Sequence, residues 1–500
     1  MKEELTETKH TIKINLPGGI VAAGDLLVIL NAAEKAGISK VSLGNRQQLF
    51  LSVSKDELED LEHEFLMEDI EYEKDSDTYP NIISSYVSED IFSISNWLRE
   101  GVYKDILDAF DFKPQLKINL ADNNQTFIPF FTGNLNFIAS TISNFWHLHI
   151  RFPKSNNFYS WPNLVYTEDI AALCKLIEES IFANKKLFYD QENIDGSILF
   201  EKISILKRFI AQASTEPLTL PDFQLPYYEG FNKYGNKYWL GIYKRNEEYS
   251  VSFLKDVCSI CLQSRVGQIY TTPWKSLIIK DIHPDDRKLW NFILAKNRIN
   301  VRHASNELNW QIEDQCEYAL KLKQQLVRQF DLEDIRTFKL CFAIKINPKT
   351  GLFGSVILKK QFETAEGEPD KFDILHTRDF NPNSKDFVVY RSDVNYDDLG
   401  KTLIELSDYF YNLQTDGDLI SPSIISSSQK NESEEIRVLV HQCKHCGTVY
   451  DQEYGDEFNN IPAGTPFQLL PDGYVCPTCD SHKGDFTEVD KNSLAQLVHL

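Results

Sequence analysis

Two cysteine pairs near one end of this 500-residue chain constrain its folding more than any other feature: Cys443-Lys-His-Cys446 and Cys476-Pro-Thr-Cys479. Two residues between cysteines form a knuckle in which both sulfurs face one point and backbone N–H groups can reach them. Two knuckles supply four thiolates in a tetrahedron. That donor set suits iron or zinc and excludes hard cations, which want oxygen. Four protein ligands leave no open coordination position, so substrate chemistry at the metal is not expected. The surrounding stretch is too short for a large core, so the metal and a few aromatic rings must staple it. Tyr450, Phe467, Tyr474 and Phe486 are the candidate rings. Zinc is the alternative metal for any such site. The 29 residues between the pairs exceed the roughly 15–20 of the common zinc pattern.

What fills that gap decides more. The CxxCG knuckle, Tyr450-Asp451, Gly455-Asp456, Ile461, Gly464-Thr465, Phe467, Leu470-Pro471, Cys476-Pro477 and Phe486 together resemble the rubredoxin family, almost position by position. The resemblance implies a mononuclear iron centre cycling between Fe2+ and Fe3+, with Cys443, Cys446, Cys476 and Cys479 as its ligands. It implies further that Cys446 and Cys479 lie nearer solvent, where electrons leave. Two positions depart from the family. Asp480 stands where glycine is usual; Asp tolerates the left-handed conformation better than most residues, and its carboxylate near the thiolates is expected to lower the potential. His441 stands where an aromatic residue usually precedes the first cysteine.

Charge narrows the partners. With 52 basic and 74 acidic residues the net charge is −22, and an apolar fraction of 42% is ordinary for globular chains. A chain this acidic is not expected to bind nucleic acid or an anionic membrane, which need a basic face. Met1–His10 has no apolar signal region, and no run approaches 18 apolar residues. The expected location is cytoplasmic, where nine cysteines are not expected to form disulfides and paired ones are better read as metal ligands or catalytic groups.

The rest of the chain carries an internal repeat. Thr11–Leu16 alternates as a half-buried strand does, Pro17-Gly18-Gly19 breaks it, and Leu26, Leu27, Leu30 and Ala33 recur at helical spacing before Gly37. A second extended stretch follows from Val41 to Val53. The pattern returns far along the chain: Tyr238–Tyr243 reads as a strand, Val251–Leu262 as a helix, and Gly267–Ile279 lies over Ser39–Leu51 without a gap, placing Trp274 opposite Arg46. A repeat so widely spaced indicates a duplicated domain rather than a solenoid. Pro114–Leu120 and Thr337–Lys345 read as strands of a second sheet, and Asp169–Ala183 and Asp398–Tyr411 as late helices. The expected organisation is therefore an α+β body in two halves, 1–185 and 186–413, the latter including a connector with Pro217, Pro221 and Pro226. A polar linker over 414–435 and a metal-stapled domain over 436–490 complete it. A linker of about 20 residues has a typical reach of about 25 Å.

The repeated units resemble the ferredoxin-like half-domains of siroheme-dependent nitrite and sulfite reductases. Gly44-Asn45-Arg46-Gln47 and Thr272-Pro273-Trp274-Lys275 occupy the places of the family's Thr-x-Arg-Gln and Thr-Pro stretches. By that resemblance Arg46 is a candidate contact to siroheme carboxylates, although without the cofactor a fold-stabilising or docking role is favoured. The family also holds a four-iron cluster in four cysteines spaced C-x5-C and C-x3-C. Here Cys174, Cys316 and Cys341 are isolated, and Cys258-Ser-Ile-Cys261 has the wrong spacing and falls on a helix. Siroheme is accordingly not expected. His147, His149 and His303 complete no ligand set and read as structural or surface residues.

Together these features point to an electron carrier rather than a catalyst. Its partners by resemblance are a siroheme nitrite or sulfite reductase, served in nitrogen assimilation, and an upstream reductase. A siroheme-binding factor without a cluster and a zinc-bound, non-redox adaptor are the alternatives.

Overall fold

The structure is a computed structural model that describes residues 9–93, 97–214, 217–348, 351–361, 370–384, 386–418, 439–446, 448–452, 455–456, 459, 461–462, 464–471 and 473–490. The chain divides into two units, 1–413 and 414–500.

In the larger unit the repeat is laid out element by element. Strands Lys9–Ile14, Ile20–Ala22, Lys40–Leu43 and Leu49–Ser54 and helix Ala23–Lys35 have counterparts in Lys237–Ile242, Glu248–Ser250, Gln268–Thr271, Leu277–Ile282 and Val251–Gln263. Every counterpart starts and ends at the same offset, from 9 to 237 at the beginning and from 54 to 282 at the end. Even the backbone strain repeats. Gln47 (φ 58°) and Lys275 (φ 53°) take the same left-handed conformation in the same tight turn. The first helix ends in a Schellman motif, with Gly37 at φ 88° and Ile38 N–H donating to Ala33 O. Its copy puts Arg265 at φ 58° and Val266 N–H on Cys261 O.

The two copies exchange a strand. Ile20–Ala22 leaves its own unit and pairs antiparallel with Gln268–Thr271, with Ala22 opposite Gln268. Glu248–Ser250 returns the exchange against Lys40–Leu43, with Ser250 opposite Lys40. The helices Ala23–Lys35 and Val251–Gln263 pack on each other over one shared core that includes Leu30, Ala33, Val257 and Cys261. Separating the copies would open both sheets and that core, so they fold as one body.

Each half then adds a second sheet of the same plan. In the first, Ile83–Ser84, Ile118–Ala121 and Leu135–Ala139 are parallel, and Phe145–Arg151 and Asn163–Tyr166 follow antiparallel. In the second, Trp310–Ile312, Phe342–Lys345 and Val356–Lys360 are parallel, followed by antiparallel Lys371–Thr377 and Phe387–Asn395. Helices Ile170–Ala183 and Leu399–Asp418 follow the two sheets at corresponding places. The α+β class and the duplicated body match the reading of the sequence.

Two boundaries differ from that reading. The first half extends past residue 185: helix Gly196–Leu206 packs on Ile170–Ala183, and Ala211–Ala213 adds an edge strand beside Asn163–Tyr166. The last helix runs to Asp418, so 414–418 of the expected linker are helical, while 419–435 lie outside the described residues. Among the described residues, no helix is long and apolar enough to cross a membrane.

Candidate metal centre

The smaller unit is a three-stranded antiparallel sheet in the order Val449–Tyr450, Leu439–Cys443, Phe486–Asp490. Cys443 ends the central strand and opens the first knuckle. Its N–H donates to Thr448 O at 2.8 Å; in the second knuckle Cys476 N–H donates to Ser481 O at the same 2.8 Å. The two loops are thus built alike and face each other. Asp480 N–H closes on Cys476 O, and Asp480 sits at φ 57°. The substitution for glycine is accommodated in the left-handed region, where Asp is among the better-tolerated side chains.

The four sulfurs converge, all lying within 4.8 Å of one another. Cys446 Sγ and Cys476 Sγ are 3.5 Å apart, and Cys443 Sγ and Cys479 Sγ 3.7 Å. A tetrahedron with metal–sulfur bonds of about 2.3 Å has edges of about 3.8 Å, so the cradle fits a four-thiolate metal ion. Cys443 and Cys476 are buried and Cys446 and Cys479 exposed, the asymmetry that the family resemblance implies. Amides of His445 and Cys446 point at Cys443, that of Thr448 at Cys446, and that of Ser481 at Cys479. The Thr448 hydroxyl and amide bring the Cys446 thiol down to about 6.

The aromatic staple is in place. Tyr450, Tyr474 and Phe486 are buried with Ile461 and Leu470 around Cys443 and Cys476, and Phe467 packs against them. Tyr474 hydroxyl donates to Asp456 Oδ2 at 2.8 Å, and Tyr450 hydroxyl to Thr465 O at 2.7 Å. His441 fills the aromatic position in fact as well as in register: its ring stacks on Phe467 with centroids 3.9 Å apart and planes 11° from parallel. Burial lowers its pKa below the ordinary value. Sequence reasoning missed the hydroxyls. Thr448 Oγ1 and Ser481 Oγ each lie 3.1 Å from an exposed cysteine sulfur. The available signal was a hydroxyl residue two positions after the second cysteine of each pair.

The other candidate residues lie in the body. Arg46 is buried, with Nε and Nη2 donating to Asn81 O at 3.1 and 2.7 Å, Nη2 also to Ile118 O at 2.9 Å, and Nη1 to Asn119 Oδ1 at 3.1 Å. Burial pulls its pKa down to about 10. The guanidinium therefore clamps the first ferredoxin-like unit to the sheet strand Ile118–Ala121. It also borders a cavity of about 230 Å³, with Gln48, Lys117 and Gln311 among the walls. That volume lies below the about 300–1,000 Å³ usual for ligand sites. Trp274, at the paired position, is a core residue: its Nε1–H donates to Phe127 O at 2.8 Å, and its ring packs against Phe353. Cys258 and Cys261 are fully buried in their helix, and burial pushes the Cys258 thiol up to about 12. His149 bonds Ser160, and His303 lies 3.0 Å from Glu229. Among the described residues, the four cysteines are the one group of three or more His, Cys, Asp or Glu side chains placed to share a metal ion.

A closed four-sulfur cradle on paired knuckles, half buried and half facing solvent, defines a small domain built for one four-thiolate metal ion. Residues 440–486 match the rubredoxin family. Rubredoxin-2 of Chlorobaculum tepidum is 46% identical over 48 residues, 92% of its length and 10% of this chain. The rubredoxin of Megasphaera elsdenii is 44% identical over 50 residues, 94% of its length and 10% of this chain. Through this C-terminal domain the chain belongs to the rubredoxin family, whose four cysteines bind mononuclear iron for electron transfer. The Mycobacterium tuberculosis NirA protein has a similar fold, with a TM-score of 0.60 and 15% identity over 79% of each chain. The body is NirA-like in fold.

Proposed function

We propose that this protein is a one-electron carrier whose NirA-like body docks a redox partner, a siroheme nitrite or sulfite reductase of nitrogen assimilation, while an upstream reductase recharges it. The convergence of Cys443, Cys446, Cys476 and Cys479 carries the reading. A bound iron ion supplies an Fe3+/Fe2+ couple there. The chain's residues do the rest. Four thiolates saturate coordination and keep substrate off the metal. Tyr450, Tyr474 and Phe486 exclude water from the buried sulfurs, which helps set the potential. The exposed Cys446 and Cys479 give the electron a path to a docked acceptor. In the body, the fold supports the choice of partner, and the scattered, mostly buried cysteines support a docking role over catalysis.

The siroheme-binding alternative would need room for a tetrapyrrole, and the cavity beside Arg46 weighs against it. Protein purified after iron-replete expression is expected to contain one iron per chain, to show only thiolate-to-iron charge-transfer bands, and to give a reversible one-electron wave. Zinc with no wave would overturn the carrier; a Soret band would overturn the siroheme-free docking body. Purifying the native protein with its bound partners and analysing their metals tests the partner directly.

The charge beside the centre gives a separate test. Asp480→Asn keeps a side chain that tolerates the left-handed conformation and removes one negative charge. The reduction potential is expected to rise, as read by redox titration.

A further inference from the structure

The two exposed sulfurs each have a side-chain partner. Thr448 Oγ1 lies 3.1 Å from Cys446 Sγ, and Ser481 Oγ lies 3.1 Å from Cys479 Sγ. The correspondence is not confined to the side chains. Each hydroxyl residue also accepts, through its carbonyl, the N–H of the first cysteine of its own pair at 2.8 Å. Backbone therefore fixes where both hydroxyls sit. A free thiol could donate to either oxygen, but a metal-bound thiolate has no proton and only accepts. With the metal bound, the hydrogen bond at each of these sulfurs is therefore one that the hydroxyl donates. Thr448 Oγ1 is also 2.9 Å from Thr478 Oγ1. In that contact Thr448 is the donor and Thr478 the acceptor, so with the metal bound Cys446 Sγ and Thr478 Oγ1 share the one Thr448 hydroxyl proton. Among the described residues Ser481 has no such second hydroxyl contact, so the two solvent-side ligands differ in their surroundings.

We infer that Thr448 and Ser481 are potential-setting residues: their hydroxyl groups hydrogen-bond the two solvent-side thiolates and hold the reduced centre more tightly than the oxidised one. The assignment rests on the iron-carrier reading above. Reduction adds one electron to the metal and takes the four-thiolate site from a net charge of −1 to −2, with no bond broken and no proton taken up. The added charge is shared with sulfur, so each donated hydrogen bond strengthens on reduction, as bonds to ionised acceptors do. Both donors therefore raise the potential. They oppose Asp480, whose carboxylate follows Cys479 directly.

The test uses the full-length, iron-loaded chain. Thr448→Val is nearly isosteric, and Ser481→Ala removes one oxygen from a half-buried position. Each is expected to shift the equilibrium with a one-electron mediator about threefold toward the oxidised form, and the pair together about tenfold, which is about 59 mV for a one-electron couple. The thiolate-to-iron charge-transfer bands are expected to move to lower energy, because a sulfur that loses a hydrogen bond gives up its electron more readily. Thr448→Ser keeps the hydroxyl and is expected to restore both readouts. A reversible wave that is unmoved in both variants overturns this assignment alone. Variants that no longer hold iron would make the hydroxyls structural and overturn it too. Absence of any wave in the unmodified protein overturns the carrier reading, and this assignment with it.

Discussion

Replacing Cys476 by Ala is expected to remove the metal and unfold the C-terminal domain while leaving the unfolding of the body unchanged. Cys476 is fully buried at the centre of the small core. Three thiolates cannot close the tetrahedron, and the lost sulfur faces the interior, where water cannot replace it without opening the domain. The apparent binding free energy of a structural tetrahedral site is about 10–16 kcal/mol. A core of this size supplies about 3–5 kcal/mol at most. Loss of the metal is thus loss of the fold. The body has its own cores and forms a separate unit. Calorimetry should show one of two transitions disappear, together with the iron content and the visible bands. A C-terminal transition that persists without metal would refute the staple.

The second large effect is expected in the body. Glu247→Gln should destabilise it by about 3–5 kcal/mol, the usual cost of breaking a buried ion pair from one side. Glu247 Oε2 lies 3.0 Å from Lys275 Nζ, and Oε1 2.9 Å from Lys323 Nζ. All three side chains are at least nine-tenths buried. Tyr243 hydroxyl adds a contact to Lys323 at 2.9 Å, and Asp314 lies 3.4 Å from Lys275. Glutamine keeps the shape but leaves Lys323 with no carboxylate. Burial alone would raise the Glu247 pKa; the two ammonium groups outweigh it and bring the carboxyl down to about 2. With a folded value below the unfolded one of about 4.3, this stabilisation is present above a pH of about 4.3 and lost as the pH falls toward about 2. Urea titrations at pH 7 and pH 3 should show the gap between parent and variant narrowing at the lower pH. Equal stability at pH 7 would refute the role of the cluster.

This cluster is also where the duplication diverged. Glu247 and Lys275 occupy the second-copy positions that correspond to Gly19 and Gln47 in the first, and all four have positive φ. A Cβ on Gly19 would come within 2.2 Å of Gln47 Nε2. The first copy therefore uses a bare backbone against an amide, and the second an ion pair reaching into helix Glu317–Leu332 through Lys323.

Much of the molecule was legible because the signals were local. The helical spacing of Leu26, Leu30 and Ala33 marks a helix wherever it packs, and a constant offset aligns two copies without knowledge of either fold. The exchanged strands were not legible. Ile20–Ala22 and Glu248–Ser250 are too short for periodicity, and each pairs with a strand of the other copy, far away in sequence. Nor did the residues after 185 announce that they complete the first half. Ala211–Ala213 is exposed throughout and carries no strand pattern.

For the site, the cysteine pairs and the residues between them determined by themselves that a four-thiolate centre forms, because ligand chemistry and knuckle geometry are properties of a few adjacent residues. Only the tertiary structure decided how that centre is surrounded. The backbone bonds from Cys443 to Thr448 and from Cys476 to Ser481 bring hydroxyls to the exposed sulfurs. The same holds for Arg46. Its side chain could clamp an anion or the chain itself, and the choice depends on which carbonyls come within reach. Non-local packing brings Asn81 and Ile118 there, and a guanidinium that makes four hydrogen bonds to its own protein has become part of the fold.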